Sequence, residues 1–230
     1  MTTRLAIIGM GKMGRAIEQL APERGCEVVA RLDVPDTRSG ITAGMLNGAQ
    51  VAVEFTTPGS AAANVRELVE AHVPIVVGTT GWYDGLPDIS KWVKEKHGAL
   101  LTATNFSLGV NAFEAILARA ASILAQSGGF DAHMIELHHS AKKDAPSGTA
   151  QTLEKAVAAE WGKRIPITSV RTGSIPGTHE VIFDAPFETI RLAHVARDRR
   201  VFAEGAIVAA KWLVGKQGVF TMKDVIQSKG

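Results

Sequence analysis

Short apolar runs alternate with amphipathic stretches through the first half of the chain. The runs are continuous in hydrophobic character, which is typical of parallel strands buried on both faces, and the stretches between them repeat apolar residues at helical spacing. The predicted strands are Leu5–Ile8, Glu27–Leu32, Val51–Phe55, Pro74–Val77 and Ala99–Thr104, and the predicted helices are Met13–Arg24, Ser60–Ala71 and Asp88–Lys96. Residues 35–50 are rich in glycine and threonine and are predicted mostly as loop. This alternation predicts an α/β fold with a doubly wound parallel sheet.

The pattern changes after Asn105. The later elements are predicted as a helix at Asn111–Gln126, a strand at Phe130–Leu137, a helix at Gly148–Trp161 and a last helix at Ala203–Val214. Residues 168–201 are rich in strand patterns without intervening helices, which predicts an antiparallel or mixed sheet. The chain is therefore predicted to hold a nucleotide domain first and a smaller α+β domain second. The periodicity does not predict where the short tail packs.

Composition narrows the class of protein. The 230 residues are 46% hydrophobic and 21% charged, an ordinary globular profile. The net charge of +2 gives no reason to expect a nucleic-acid partner. The single cysteine, Cys26, excludes an intrachain disulfide and fits a reducing cytoplasm. The N-terminus does not resemble a signal peptide, and no apolar run approaches the ~18 residues that span a membrane. We expect a cytoplasmic protein.

The first predicted turn carries a dinucleotide-binding fingerprint. Gly9-Met-Gly11-Lys-Met-Gly14 is a complete G-x-G-x-x-G between a strand and a helix, and Asp33 ends the next strand at the expected distance. A carboxylate at that position accepts hydrogen bonds from ribose hydroxyls and repels a 2′-phosphate, which favours NADH over NADPH. Lys12 and Arg38 offer charge that would soften this preference. The alternative is a glycine turn without a ligand and an aspartate that only caps a loop.

Two further turns are predicted at the same edge of the sheet. Gly78-Thr-Thr-Gly81 follows one strand and Thr56-Thr57-Pro58 ends the preceding one. Ligands of parallel sheets bind beyond the carboxyl ends of the strands, so both turns are expected near the nicotinamide half of the cofactor. Taken without the fingerprint, each would be interpreted as a plain turn between strand and helix.

The segment Glu136–Ala150 holds the candidate chemistry. His138 and His139 end a strand, where side-chain alternation lets at most one of them point into a given cleft. Histidine is a suitable general acid near neutral pH, and Lys142 supplies a cation or a proton. The Pro-Ser-Gly-Thr turn that follows presents hydroxyls and N–H groups at a helix end, which suits a carboxylate or phosphate. With the fingerprint, these residues indicate hydride transfer to a small acidic molecule.

Other interpretations of these residues remain open. A core histidine pair beside an ordinary N-capped helix would explain each residue taken alone. A zinc site is rejected because no cysteine is near and adjacent strand histidines diverge, so no metal is expected. The basic cluster Arg197-Asp-Arg199-Arg200 is typical of a solvated turn, although a carboxylate on the substrate would suit an arginine fork from one of the three.

The segment also matches a family signature. The chain resembles the 4-hydroxy-tetrahydrodipicolinate reductase (dihydrodipicolinate reductase) family, whose signature has the form E-x-H-H-x-x-K-x-D-A-P-S-G-T-A, and Glu136–Ala150 carries every fixed position. The resemblance spans nearly the whole chain. It extends over Gly9–Gly14, Phe55-Thr56 with Pro58, Gly78–Gly81, Asn105–Asn111 and Phe202–Val225.

The resemblance implies a Rossmann-like dinucleotide-binding domain over residues 1–105 that residues 203–230 complete, a mixed-sheet substrate domain over 106–202, and a homotetramer joined through those sheets. By position, it implies His138 as the catalytic acid and Lys142 as its partner. The implied substrate-binding residues are His139, Lys142, Ser147, Gly148, Thr149 and Arg199. By position, it also implies that Gly78, Thr80, Thr104, Asn105 and Phe106 contact the nicotinamide end. With the fingerprint and the turn after the strand Val51–Phe55, the predicted cofactor-binding residues also include Gly9, Gly11, Lys12, Met13, Gly14, Asp33 and Thr56.

The implied reaction consumes a cyclic dicarboxylate. A hydroxy-imine loses water, NAD(P)H delivers a hydride to ring carbon 4, and carbon 3 is protonated to give tetrahydrodipicolinate. The chain departs from the family pattern at His133, where a glutamate is usual, and between Asp33 and Val51, which is shorter than expected. Val34 stands where NADPH-preferring members often carry arginine, which again favours NADH.

Two other functions are weighed against this one. A related imino-acid reductase such as an aspartate dehydrogenase has a similar two-domain plan, but the full match over Lys142–Ala150 argues against it. A non-catalytic NAD-binding sensor predicts loss of the catalytic histidine or lysine, and both His138 and Lys142 are present.

Overall fold

The computed structural model describes residues 2–227, which divide into two compact units. The first comprises the described residues up to Leu108 and those from Arg200 onward, and the second runs from Gly109 to Arg199. The strands are β1 Thr3–Ile8, β2 Cys26–Leu32, β3 Val51–Glu54, β4 Ile75–Val77, β5 Ala99–Thr102, β6 Asp131–His138, β7 Ile167–Arg171, β8 Thr178–Ala185, β9 Glu188–Val195 and β10 Gly218–Phe220. The helices are α1 Lys12–Leu20, α2 Val34–Thr37, α3 Pro58–Glu70, α4 Leu86–Glu95, α5 Leu108–Ser127, α6 Gly148–Trp161, α7 Arg200–Leu213 and α8 Met222–Gln227.

A parallel sheet with the strand order β10-β5-β4-β3-β1-β2 forms the centre of the first unit. Residues of each strand alternate between two apolar cores. Leu5 and Ile7 of β1 pack with α1 and α7, whereas Ala6 and Ile8 pack with α3 and α4. Because helices cover both faces, β1 is apolar at consecutive positions rather than at every second one. The predicted doubly wound parallel sheet is confirmed.

The carboxyl ends of the central strands lie in register. Ile8, Glu54, Val77 and Thr102 are successive partners across β1, β3, β4 and β5. The residues that follow these strands therefore meet along one edge of the sheet, which is where ligands bind in doubly wound folds.

The C-terminal segment completes this sheet. Strand β10 pairs in parallel with β5, with Gly218 opposite Ala99 and Phe220 opposite Leu101. Met222 of α8 is buried in the core that contains α1 and α7. The tail, whose packing the periodicity does not predict, thus supplies the outer strand next to β5.

The predicted end of the first helix is wrong. The first helix ends at Leu20 rather than at Arg24, and a 3-10 turn at Pro22–Arg24 leads into Gly25 with a φ of 69°. Proline lacks an N–H for the helical ladder, so the helix stops before it. Residues 35–50 are mostly loop, as predicted, although some of them contribute to α2 and to a 3-10 turn at Ala43–Leu46.

The second unit contains a mixed sheet in the order β7-β6-β8-β9, as predicted. Strands β6 and β7 are parallel, while β6–β8 and β8–β9 are antiparallel. One face, which includes Met134 and Val181, packs with Leu117 of α5 and Leu153 of α6 in a third core. The opposite face of β6, at His133, Ile135 and Leu137, is only half-buried.

Helix α5 has the length and apolar composition that crossing a membrane would require, and it is the one such helix within residues 2–227. The expectation from the sequence was different, since no continuous apolar run approaches the ~18 residues that span a membrane. About a fifth of its most apolar window, 22%, is buried. Phe113 and Leu117 occupy the third core, whereas Ile116 and Ile123 are exposed. One helix of this kind is weak evidence for a membrane segment.

Candidate active site

The glycine fingerprint forms the turn between β1 and α1. Gly9 has a φ of 95°, and a Cβ there would collide with the carbonyl oxygen of Phe55. A Cβ at Gly14 would collide with the carbonyl oxygen of Gly9, so glycine allows α1 to pack on the turn. A Cβ at Gly11 would meet no atom within 4 Å, which leaves the backbone open at the amino end of α1. These three geometries fit the pyrophosphate of a dinucleotide.

The neighbouring residues of the fingerprint differ in exposure. Lys12 is exposed at the first position of α1, where its charge is available to a phosphate. Met13 is half-buried and packs against the core formed with α1 and α7. Lys12 is therefore more accessible to a cofactor than Met13, whose side chain packs against the core.

Asp33 follows β2 and caps the short helix α2. Its Oδ1 accepts a hydrogen bond of 3.0 Å from the N–H of Val34, and its own N–H donates to Asp36 Oδ2 at 2.9 Å. Asp33 therefore has the capping role that the alternative interpretation of this residue gave it. Asp33 also lies at the carboxyl end of β2, beside the turn that begins at Gly9, which is where a ribose-binding carboxylate is expected. Its contact with the cofactor stays a prediction.

Threonine hydroxyls connect the ends of β3 and β4. The N–H of Thr56 donates to Thr79 Oγ1 at 2.8 Å, and Thr56 Oγ1 contacts the carboxylate of Glu54 and lies 2.9 Å from Ser60 Oγ. Glu54 is fully buried, and this burial raises the pKa of its carboxyl group. The network holds Thr56 at the ligand edge of the sheet.

The turn after β4 packs closely against β3. A Cβ at Gly78 would collide with the ring of Phe55, so only glycine fits. Thr79 is buried and Thr80 is exposed, so Thr80 is the hydroxyl that faces solvent at this edge. Sequence reasoning chose Gly78 and Thr80 but assigned no task to Thr79.

The segment after β5 divides between the edge and the core. Thr104 is exposed, and Asn105 Oδ1 accepts a hydrogen bond of 2.9 Å from the N–H of Ser107. Phe106 is 3% exposed, and its ring centroid lies 5.7 Å from that of Phe55. The Phe106 ring therefore stabilises the core, and a cofactor contact at this residue would involve its backbone.

In the second unit, His138 belongs to a buried polar cluster. His138 and Glu136 are two residues apart on β6, so both side chains lie on its covered face. Glu136 is fully buried, and its Oε2 is hydrogen-bonded to His138 Nδ1. Burial lowers the pKa of His138, and the positive charges of Lys142 and Arg171 lower it further, whereas Glu136 acts in the opposite direction.

Arg171 holds the other oxygen of this carboxylate. Its Nη2 donates to Glu136 Oε1 at 2.6 Å and to the Asp144 carbonyl at 2.5 Å. Burial by itself would raise the pKa of Glu136, but hydrogen bonds from Arg171, Ser169 and His138 bring that pKa below its ordinary value. The group is therefore a carboxylate at neutral pH.

His179 adds a second imidazole to the cluster. It is 4% exposed, lies opposite Glu136 in the β6–β8 register, and its ring stands edge-on to that of His138 with centroids 5.3 Å apart. Burial lowers the pKa of His179 to about 4, and the neighbouring His138 contributes. His179 is therefore a neutral hydrogen-bonding group whose Nε2 lies 3.2 Å from Ser147 Oγ.

The loop that joins β6 to α6 carries the predicted anion site. Ser147 is the N-cap of α6, since its Oγ accepts a hydrogen bond of 3.1 Å from the N–H of Ala150. This hydroxyl is buried and already engaged, whereas Gly148 is exposed and Thr149 half-buried in the first turn. Lys142 Nζ lies 2.7 Å from Asp144 Oδ1.

Three other candidates lie apart from the hydrogen-bonded cluster. His139 is half-buried just after β6, and Arg199 lies in the exposed turn before α7. His133 lies on the half-buried face of β6, opposite the face of His138, with its Nε2 2.9 Å from Thr168 Oγ1. His133 is thus placed away from the buried polar cluster. The substrate-binding roles of His139 and Arg199 stay predictions.

The argument against a metal was incorrect in its count of donors. Glu136, His138 and His179 offer three donor atoms within 4.8 Å of one another. Sequence reasoning compared His138 with its neighbour His139 and did not foresee a histidine from β8. The Glu136 carboxylate is, however, taken up by Arg171 and His138. The positive charge of the Arg171 guanidinium, which is hydrogen-bonded to Glu136, would repel a metal cation. The arrangement therefore favours proton chemistry.

Sequence reasoning missed three residues of the cluster. Glu136 was part of the motif but received no role, although its spacing from His138 places both on one face of a strand. Arg171 and His179 come from β7 and β8, and only the strand register brings them to β6. No local pattern in the sequence indicates that register.

Comparison with known proteins identifies relatives over nearly the whole chain. Residues 3–106 match the family described as dihydrodipicolinate reductase, N-terminus, and residues 109–226 match its C-terminus. A 4-hydroxy-tetrahydrodipicolinate reductase of Christiangramia forsetii is 35% identical over 234 residues, covering 96% of this chain and 97% of the relative. The enzyme of the same name from Rhodopseudomonas palustris is 34% identical, with 97% of each chain covered.

Solved structures share the fold. A dipicolinate-bound dihydrodipicolinate reductase from Paenisporosarcina sp. TG-14 superposes with a TM-score of 0.83 at 23% identity, over 96% of this chain and 98% of that one. Aspartate dehydrogenase from Thermotoga maritima has a TM-score of 0.52 at 9% identity, over 94% and 98% of the two chains. At these identities the likenesses concern architecture.

Proposed function

Because the chain belongs to the dihydrodipicolinate reductase family, we propose that it reduces 4-hydroxy-tetrahydrodipicolinate to tetrahydrodipicolinate in lysine and diaminopimelate biosynthesis. The observation that carries the proposal is the segment Glu136–Ala150, which has every fixed position of the family signature. In the structure this segment combines an orientated histidine, a lysine and the amino end of a helix.

The reductant in this proposal is NADH or NADPH, which supplies a hydride to ring carbon 4 when bound. Residues 1–105 with 203–230 form the dinucleotide-binding domain. The open backbone at Gly11 supports pyrophosphate binding there. Asp33, followed by the uncharged Val34, favours NADH because a carboxylate repels the 2′-phosphate of NADPH.

Residues 106–202 bind the ring dicarboxylate in the proposal. The amino end of α6 lies at the exposed Gly148, whose N–H reaches the Asp144 carboxylate, and the positive end of the helix favours an anion. Lys142 neutralises one carboxylate. The remaining proposed contacts are His139, Ser147, Thr149 and Arg199.

His138 supplies the proton to ring carbon 3. Glu136 accepts the hydrogen bond from its Nδ1, so Nε2 is the nitrogen that exchanges a proton with the ring. A Cβ at Gly177 would lie 3.1 Å from this Nε2, so the glycine keeps space beside the reacting nitrogen. Lys142 places positive charge near His138 and assists release of the proton.

The proposal includes a homotetramer in the cytoplasm. The half-buried face of the mixed sheet carries Ile135, Leu137 and Ile182, and Val195 is 60% exposed beside them, which supports burial of this face against other copies. His133 lies on the same face of β6 as Ile135 and Leu137. The single cysteine fits a reducing compartment.

One assay tests the activity against its alternatives. NADH or NADPH oxidation is followed with the condensation product of pyruvate and aspartate semialdehyde, and separately with oxaloacetate plus ammonia. We expect oxidation with the first substrate. Oxidation only with the second would identify an aspartate dehydrogenase, and oxidation with neither would indicate a cofactor-binding sensor.

A further inference from the structure

Glu136 is a fully buried carboxylate that the proposed chemistry does not consume. It lies on β6 with its side chain on the covered face, and its exposed fraction is 0%. Both of its oxygens are hydrogen-bonded: Oε2 to His138 Nδ1, and Oε1 to Arg171 Nη2 at 2.6 Å. A buried ion without such partners would be strongly destabilising, so this arrangement requires a specific compensating cation.

Arg171 provides that cation from the adjacent strand. It is the register partner of His138 in the parallel β6–β7 pair. Its Nη1 donates to the Val170 carbonyl at 2.8 Å, and its Nη2 also reaches the Asp144 carbonyl in the loop before α6. The guanidinium is therefore fixed by several bonds and holds the carboxylate in one orientation.

We propose that Glu136 and Arg171 are a positioning pair for the catalytic histidine. Arg171 orientates the carboxylate of Glu136, and the carboxylate keeps the Nδ1–H of His138 as its donor. The neutral imidazole is thereby held as the Nδ1–H tautomer, with Nε2 directed away from the carboxylate. The proposal rests on the assignment of His138 as the proton donor.

The proton balance follows from this tautomer. When imidazolium His138 donates, its Nε2–H bond breaks and the electron pair stays on Nε2. The C2=C3 pair of the reduced ring forms the new C3–H bond, and the ring nitrogen restores the C2=N bond. The product imidazole keeps its Nδ1–H on Glu136, so the histidine need not rotate between turnovers.

The charged and titratable groups around His138 come from each neighbouring element. They are Glu136 on β6, Arg171 on β7, His179 on β8 and Lys142 in the following loop. His194 on β9 lies beyond His179. Glu136 is the only anion among them, so it alone raises the pKa of His138 against burial and the cations.

The first test measures the tautomer in the unaltered protein and uses a variant only to assign the signals. In the whole protein labelled with 15N at histidine, the ring nitrogens of His138 are assigned by comparison with His138→Gln. We expect neutral His138 to carry its proton on Nδ1. A neutral ring with its proton on Nε2 would overturn the proposal, whether or not the protein reduces the proposed substrate.

The second test replaces Glu136 by glutamine. We expect kcat to fall on the order of 100-fold with KM changed little, because a misdirected general acid loses its catalytic contribution. The basic limb of the kcat/KM profile should move to lower pH, because the group that raises the pKa of His138 is removed. Glu136→Asp should recover part of kcat.

Glu154→Gln is the matched control. Glu154 is 1% exposed and is bonded to Arg164 and to the N–H of Ile165, so its replacement also removes a buried carboxylate from an arginine. We expect this control to leave the pH profile in place. The positioning role is overturned if Glu136→Gln and Glu154→Gln have the same profile and the same kcat. If the wild-type protein is inactive, the proposed activity is wrong. The tautomer measurement still tests whether Glu136 and Arg171 position His138.

Discussion

Gly177, the residue that precedes β8, lies next to His138 at the end of β6. A Cβ at Gly177 would lie 3.1 Å from His138 Nε2 and 3.4 Å from its Cδ2. This spacing is tighter than ordinary van der Waals contact. Because Gly177 has no side chain, space remains next to His138 Nε2, the nitrogen that we assign to proton transfer.

We expect Gly177→Ala to displace the His138 ring and to lower kcat by about 10- to 100-fold, since small misplacements of a catalytic group have effects of this size. Steady-state kinetics measure the change. Gly85→Ala is the control, because a Cβ there meets nothing within 4 Å and its φ is −87°. An alanine at position 177 with wild-type kcat would contradict the assigned space.

His138→Gln removes the proposed proton donor. We expect turnover to fall by about 10²- to 10⁴-fold, the usual contribution of general acid catalysis. NADH affinity, measured by fluorescence titration, should stay close to that of the wild type, because His138 lies in the second unit and the glycine fingerprint in the first. Unchanged turnover would remove His138 from the mechanism.

Gly11 and Gly14 should respond differently to alanine. Gly11→Ala places a methyl group in open space, so we expect an unchanged melting temperature but a cofactor Kd raised by about tenfold or more, because the methyl occupies the approach of the pyrophosphate. Gly14→Ala collides with the carbonyl of Gly9 and should lower the free energy of unfolding by about 1–3 kcal/mol. Thermal melts and cofactor titrations measure the two effects, and equal losses of stability would contradict this distinction.

Asp33→Asn tests the cofactor preference without removing the helix cap. Asparagine caps helices as well as aspartate does, but it carries no charge to repel a 2′-phosphate. We expect the ratio of kcat/KM values for NADPH over NADH to rise by about tenfold, equivalent to about 1.4 kcal/mol. Asp36→Asn, which alters the other half of the capping box, is the control and should leave the ratio unchanged.

Acid should destabilise the protein through His179. Burial lowers the pKa of this histidine to about 4 in the folded state, whereas an unfolded chain titrates near 6.5. The unfolded state therefore binds more protons in this window, and the free energy of unfolding falls as pH decreases from 6.5 to 4. The loss from this group is at most about 3 kcal/mol.

Urea unfolding across this pH range measures that loss. His179→Gln should flatten the dependence, because no titrating group remains at the position. His72→Asn, at an exposed histidine in a left-handed conformation that asparagine tolerates, controls for removal of a histidine elsewhere. Parallel pH dependences for wild type and His179→Gln would contradict the assignment.

Local patterns were sufficient for most of the first unit. Continuous apolar runs predicted the buried strands, and the glycine spacing predicted a turn in which Gly9, Gly11 and Gly14 have three distinct tasks. Errors arose where local signals were weak or misread. The predicted helix continued to Arg24 because Gly25 was taken as its end, whereas Gly25 ends the 3-10 turn that follows it. The short helix after Asp33 was missed because four residues give no periodicity.

The sequence by itself determined the parallel sheet and the second sheet, and it supplied the glycine turn and the candidates His138 and Lys142, because each depends on residues close together in the chain. Only the tertiary structure decided that β10 pairs with β5, within a C-terminal segment that the resemblance already assigned to this domain, and that Arg171 and His179 join Glu136 and His138. The physical reason is strand register. Pairing between distant segments depends on packing across the whole sheet, so no neighbouring residues encode it.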